Sequence, residues 1–539
     1  MASFENALIL LLVTTTLSIV ARWLPWPRPI TYVLGGMALA MIPFFPRVAL
    51  DPGFFFLGFL PPLLFADGWL MPLREFARAK RPIILLATGL VVVTTVAVGL
   101  VAHWLVPGLP LAMAFALGAV VSPTDAVAVG AVMEKLRVPT RLTTILDGES
   151  LMNDATGLVA FKFALAALVA GTFSLRAAAV NFVLVAAGGL GLGLLAAYLV
   201  GRLRDWLIRS HNSDPLIEIT LSLLTPYAAY LAAEPLGISG ILAVVAAGLY
   251  SGWRDPVRMD AVSRQTAWTV WQTVLFWLNG LAFVLLGLQF PGLLAALGGK
   301  YSTPHLLAFV AAVSATVMVV RLAWFFPAAH LPFVFSRNIR ETEPCPPWQG
   351  LLVGGWAGIR GTVTLAAALS IPLALPDGSP LPGRDLVIFL AFGVIASTLL
   401  IQGTTIGWLI RRLGLKEDDT RAKEELLART TAVGAGLQAL RALESAGNSR
   451  AKKVALSHVL VEYEARLSEL VSEGDLRGHA RERRASEKEF RFTALVAERE
   501  AVNDLWRRNV ISDDVHRPLQ QLLDHEDAML QSQPAPPGE

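Results

Sequence analysis

"GESLMNDATG", residues 148–157, opens an apolar run that continues to about Val169. Two carboxylates, Glu149 and Asp154, and two polar neighbours, Ser150 and Asn153, therefore stand at the start of a segment otherwise suited to lipid. Residues four apart share a helix face, so Glu149 stacks with Asn153 while Ser150 stacks with Asp154 on an adjacent face, about 100° around. An unpaired charge in a low-dielectric setting is too costly to persist, so each acid needs a cation or a proton.

The surroundings support a membrane setting. Of 539 residues 54% are hydrophobic and only 16% charged, and the charges crowd into the last quarter. Thirteen apolar runs, from 4–21 through 144–170 and 304–326 to 386–410, are each long enough to cross a hydrocarbon core of roughly 30 Å as a helix. The first has an acidic flank at Glu5 and no basic stretch before it, so it reads as a retained span rather than a signal peptide. Lys and Arg fall mainly in alternate loops, among them Arg74, Arg78, Lys80 and Arg81, then Lys135, Arg137 and Arg141. The opposite loops hold little more than Arg47, Arg176, Lys300 and Arg384, which predicts an outside N-terminus and a cytoplasmic C-terminus. A single cysteine, Cys345, excludes an intrachain disulfide and forms no metal site alone.

The expected fold is an all-α polytopic membrane protein with about thirteen transmembrane helices in residues 1–412. A cytoplasmic helical domain follows over 413–530, where charged residues alternate with Leu, Val and Ala at helical spacing, and a disordered tail over 531–539. Within that domain "GAGLQA", 434–439, matches a dinucleotide fingerprint in form only, because a charged helical pattern rather than a strand precedes it.

Two spans carry their own breakers. Run 111–133 contains "VVSPTDAVAV", where Pro123 lacks an N–H and obstructs the preceding turn, so a break is expected near Ser122 and Thr124, beside Asp125. Run 349–372 contains "GGWAGIRGTVTLA", where four glycines weaken the helix around Arg360. These are spans five and twelve, a shift of seven, as two inverted six-helix repeats joined by a seventh helix would give. Matching interrupted helices in two halves point to an ion or substrate site near the membrane midplane.

Few cations are available within the spans to neutralise the acids: Lys162, Arg321 and Arg360. A guanidinium stays charged and grips a carboxylate through two bonds, so Arg360 is expected to pair with Glu149 as a structural link. Asp154 and Asp125 are then left beside a broken helix's free carbonyls, a setting that suits a small hard cation. Desolvation and a neighbouring carboxylate also favour protonation, so cation and proton compete there.

With these residues in view, "GESLMNDATG" resembles the Asn-Asp motif of the monovalent cation/proton antiporter 1 family, the sodium/proton exchangers, in its bacterial branch. "FLPPLLFADGW", "SPTDAVAV", "FWLNGLAFVLLGLQF" and "GWAGIRGTVTLAAALSIP" extend the likeness over nearly the whole membrane part. The resemblance implies that Asp154 alternately binds cation and proton, with Asp125, Ser150 and Thr124 as further Na⁺ ligands. It implies that Asn153 stands where electrogenic relatives carry an aspartate, so exchange is electroneutral. It implies Glu149 and Arg360 as a structural ion pair, and a homodimer in the cell membrane working by elevator-like movement. Asp67 lies one residue later than the acid many relatives carry, which rotates it about 100° and favours a role in the cytoplasmic funnel.

The reading is therefore a Na⁺/H⁺ antiporter, with Li⁺ or K⁺ as other cations, no enzyme activity, no cofactor and no nucleic-acid partner. A gated cation channel or K⁺ efflux system is the alternative. An intramembrane aspartyl hydrolase using Asp125 and Asp154 would leave Asn153 and Arg360 without roles. Lys162 is read as a counter-charge to Asp154, or as neutralised by another buried acid or snorkelling to an interface, and Arg321 as an anchor or ion-pair partner near a span end. Glu218 and Glu234 are read as solvated, and Trp23, Trp26, Trp69 and Trp104 as interfacial anchors.

Overall fold

The computed structural model describes residues 2–532 except 25, 44, 46–51, 126–128, 131, 132, 134, 135, 137, 171–174, 211–213, 336, 343–345, 376–378, 416–419, 445–449, 473–478 and 509. Cys345, Arg47, Lys135 and Arg137 fall outside that set. The chain forms two compact units, Met1–Glu417 and Asp418–Glu539.

Unit 1 is helical, with only one isolated bridge, Ala374 to Pro380, among its described residues. Besides the short helices Leu73–Arg78 and Arg337–Thr342, its described helices include α1 (Ala2–Val20), α2 (Arg28–Ala40), α3 (Pro52–Leu70), α4 (Lys80–Leu105), α5 (Leu111–Val120), α6 (Thr140–Ala170) and α7 (Leu175–Arg209). They continue with α8 (Pro215–Ala233), α9 (Gly240–Arg258), α10 (Ala261–Leu297), α11 (Thr303–Phe335), α12 (Trp348–Trp356), α13 (Thr362–Leu369) and α14 (Arg384–Leu413). Among the described residues seven helices are long and apolar enough to cross a membrane, in α4, α6, α7, α8, α10, α11 and α14.

Helix ends follow local chemistry. Asp214, Ser239 and Asp260 each accept a backbone N–H of the first turn they cap, from Leu216, Leu242 and Ser263. Several helices outrun the apolar segments that predict them: α11 continues to Phe335, well past 326, and α6 starts at Thr140, before 144. The extension of α11 is apolar apart from His330 and runs through Pro327 and Pro332 without ending, whereas α6 gains Thr140–Thr143 at its start.

Both predicted interruptions occur. Helix α5 stops at Val120, Ser122–Asp125 are non-helical, and Val129 and Gly130 are helical again. Helices α12 and α13 are separated by the non-helical segment Ala357–Gly361. The breaks meet: the Asp125 N–H donates to the Ile359 carbonyl at 2.7 Å.

Helix α6, which carries the opening motif, packs against α5 and α4. A wide turn over Leu85–Leu90 of α4 frees a carbonyl, and the Thr156 hydroxyl donates to Ala87 O at 2.5 Å. Helix α3 is held to α9 backbone to backbone, because a Cβ on Gly248 would stand only 2.5 Å from the Phe65 carbonyl oxygen. That contact fixes the turn carrying Asp67. Trp23 and Trp104 are exposed, as membrane anchors would be, whereas Trp69 is buried and donates to Asp255 at 3.1 Å. Glu218 is buried rather than solvated.

Unit 2 consists of α15 (Thr420–Glu444), α16 (Arg450–Ser472), α17 (His479–Arg507) and α18 (Asp513–Ser532). Arg441 of α15 pairs with Glu464 of α16 at 2.8 Å, and Arg499 of α17 pairs with Asp524 and Asp527 of α18. Leu495, Leu523 and Leu530 form a small core. "GAGLQA" lies wholly inside α15, with no strand before it, which removes the dinucleotide reading. Helix α18 runs through Gln531 and Ser532, two residues into the expected tail, and 533–539 lie outside the described residues.

Candidate ion-binding site

A cavity of about 500 Å³ lies where the two broken helices meet α6. Its wall includes Thr124 and Asp125 from the first break, Ser150 and Asp154 from α6, Asp67 from α3, and Gly361, Thr362 and Thr364 from the second break and α13. Asp154 is 4% exposed, and its carboxylate has neither a hydrogen-bond donor nor a cationic partner among the described residues. A Cβ on Gly361 would overlap the Asp125 carboxylate, so only glycine lets the second break approach this acid. No three His, Cys, Asp or Glu side chains converge as a metal cage among the described residues. A cation here must combine carboxylate with neutral oxygens.

The first break is fastened from α6. Ser150 Oγ donates to the Thr124 carbonyl at 2.6 Å, and Asn153 Nδ2 donates to Thr124 Oγ1 at 2.9 Å. Asn153 Oδ1 also accepts the Thr124 N–H at 3.4 Å. One amide thus grips both the backbone and the hydroxyl of Thr124. Asn153 is fully buried behind the cavity wall and does not line it, so its observed role is to hold the break rather than to ligate an ion.

The expected Glu149–Arg360 pair is not the one that forms. Both Glu149 oxygens are taken by Arg321 of α11, with Nη2 to Oε2 at 2.9 Å and Nη1 to Oε1 completing a two-pronged ion pair. Neither side chain has any exposed surface. Arg321 lies in the middle of α11 because that helix extends to Phe335, so it is no interfacial anchor. Arg360, also fully buried, donates instead from Nε to the Val121 carbonyl at 2.8 Å and from Nη1 to the Gly358 carbonyl. Arg321 Nη2 donates as well to the carbonyls of Gly354 and Ala357, at 3.2 and 3.4 Å. The reason is electrostatic: the last carbonyls of α5 and α12 have no helical partner and carry partial negative charge, which the two guanidiniums satisfy. Of the carbonyls at these breaks, those of Val121, Gly354, Ala357 and Gly358 are therefore occupied by the two guanidiniums.

Asp67 faces the same cavity as Asp154 and interacts electrostatically with it. Asp147, which the sequence reading passed over, lines the cavity too. It stands seven residues before Asp154, two turns along one face of α6, and that spacing was the available signal. Gln272 and Asn279 of α10, again seven apart, complete another wall. Lys162 is not a counter-charge to Asp154: it pairs with Glu234 at 2.8 Å, half exposed.

An all-helical membrane protein with two interrupted helices crossing at a buried, unpaired carboxylate is built as a secondary ion transporter. Residues 8–412 match the family described as sodium/hydrogen exchanger, transmembrane, and the chain belongs to that family. It is 36% identical over 549 residues to a sodium, potassium, lithium and rubidium/H⁺ antiporter of Bacillus pumilus, covering 99% of this chain and 78% of that protein. It is 36% identical over 554 residues to the uncharacterized Na⁺/H⁺ exchanger YjcE of Escherichia coli, covering 98% of this chain and 99% of that one. The fold is shared with the sodium proton antiporter MjNhaP1 of Methanocaldococcus jannaschii, with a TM-score of 0.58, 19% identity, and coverage of 77% of this chain and 99% of that one. These relatives are antiporters and exchangers, and none speaks for the channel reading.

Proposed function

We propose that the protein exchanges Na⁺ for H⁺ across the cell membrane, one for one, with cation and proton competing for Asp154. The observation that carries this reading is the buried Asp154 carboxylate, unpaired among the described residues, on the wall of a cavity shared with Asp125, Ser150 and Thr124. A desolvated acid of this kind is occupied by either a metal ion or a proton, and exposure to each side in turn makes that alternative an exchange. The name of the Bacillus pumilus relative extends the candidate cations to Li⁺ and K⁺. Electroneutral exchange is supported by Asn153, which adds no titratable group beside Asp154 and has both amide ends engaged with Thr124.

Alternating access arises from movement of the two crossing breaks, arranged as inverted six-helix repeats, against a scaffold that dimerises. The N-terminus lies outside and the C-terminus inside, following the basic loops. Asp67 and Asp147 line the cavity toward Met71 and Pro72, next to the basic loop at Arg74, and there attract cations from the cytoplasm.

In everted membrane vesicles, Na⁺ addition to the wild type should dissipate a preformed proton gradient, and Asp154→Asn should abolish that response. In the wild type the apparent KM for Na⁺ should rise as pH falls. Full exchange by the Asn variant, or a KM indifferent to acidification, would overturn the proposal.

A further inference from the structure

Thr364 lies in the first turn of α13, three residues beyond the glycine that abuts Asp125. It is 1% exposed, its hydroxyl has no hydrogen-bond partner among the described residues, and the residue lines the cavity with Asp125, Ser150 and Asp154. Several threonines in these helices return their hydroxyl to the carbonyl four residues back, as Thr14 to Leu10 at 2.8 Å, Thr225 to Leu221 at 2.6 Å and Thr316 to Ala312 at 2.8 Å; Thr94 and Thr95 of α4 also lack a partner among the described residues, but of these three unpartnered threonines Thr364 alone lines the cavity. For Thr364 that carbonyl belongs to Arg360, inside the non-helical break, so the usual acceptor is out of line. A buried hydroxyl without a partner costs about 1–3 kcal/mol, and in a native protein such a group calls for a reason.

We propose that the Thr364 hydroxyl is a further oxygen ligand of the transported cation, supplied by the second broken helix. The inference rests on the antiport reading above and deepens it. The carboxylates face the cavity without forming a cage, so a desolvated cation needs neutral oxygens to replace its water. The Thr124 hydroxyl is already bonded by Asn153 and the Thr124 carbonyl by Ser150, whereas Thr364 is uncommitted. Its oxygen is shielded from solvent here, so the contact forms with a change of χ1 as the cation binds; threonine in a helix has two wells available. A hydroxyl binds no proton in the physiological range. Thr364 therefore tunes cation affinity and selectivity without altering the count of protons exchanged.

The test compares wild type, Thr364→Val and Thr364→Ser in proteoliposomes, measuring the apparent KM for Na⁺ and for Li⁺ and the maximal rate. Thr364→Val keeps the shape and removes the oxygen. Its Na⁺ KM should rise about tenfold, equivalent to one lost ligand bond of about 1.4 kcal/mol, with a changed Li⁺ to Na⁺ ratio and a maximal rate within about twofold. Serine should restore both the KM and the ratio. A Val variant with an unchanged KM and ratio, or a serine that restores neither, overturns the assignment. If valine prevents folding, Thr364→Ala is read by the same criteria. Absence of exchange in the wild type would instead overturn the antiport reading itself.

Discussion

Which arginine neutralises Glu149 can be decided by a double-mutant cycle. Arg321→Met removes the only guanidinium that grips both Glu149 oxygens among the described residues, leaving a carboxylate with no exposed surface uncompensated. Breaking a buried pair in this way costs about 3–5 kcal/mol. The carbonyls of Gly354 and Ala357 lose a donor as well, at about 1 kcal/mol each. Glu149→Gln should cost about 3 kcal/mol, because Arg321 keeps its carbonyl partners. The double variant Glu149→Gln/Arg321→Met strands no charge and should cost no more than Arg321→Met alone, so the two positions couple by about 3 kcal/mol or more. In the parallel cycle with Arg360→Met, coupling to Glu149 should stay below about 1 kcal/mol, since Arg360 bonds to the Val121 and Gly358 carbonyls instead. Denaturant unfolding in micelles, followed by circular dichroism, gives each corner of both cycles. Stronger coupling of Glu149 to Arg360 than to Arg321 would refute the reasoning.

Gly361→Ala should abolish transport, because its methyl group would overlap the Asp125 carboxylate at the crossing; exchange in vesicles within about twofold of wild type would contradict that packing. Lys162→Met should leave exchange nearly unchanged and lower stability by no more than about 1 kcal/mol, as the pair with Glu234 is half exposed; unfolding and vesicle measurements on one preparation check both halves.

The interruptions were legible because their causes are local: Pro123 cannot continue a helix, and the glycines around Arg360 weaken one wherever they stand. The grouping of Ser150 and Asp154 on the cavity side followed from helical spacing alone. The partner of Glu149 did not, since it lies 172 residues away and two buried arginines compete for the role. Reading the span of Arg321 as ending at 326 put that residue near an interface, whereas the helix runs nine residues further. Helix α6 likewise starts at Thr140, before its apolar run, so Asp147, which the sequence reading passed over, lies two turns inside it and lines the cavity. Asn153 was recognised as special, but its grip on Thr124 depends on how a non-helical segment folds against α6, which no periodicity encodes.

The guanidiniums seated on the carbonyls of Val121, Gly354, Ala357 and Gly358 have an effect on stoichiometric fidelity. Peptide oxygens bind alkali metals but not hydrogen ions at neutral pH, so a pocket built from them would let metal slip through uncompensated. With those oxygens plugged by fixed positive charge, the passenger of the exchange proposed above must lean on a side chain that can also be protonated, an arrangement that disfavours leakage of either species alone.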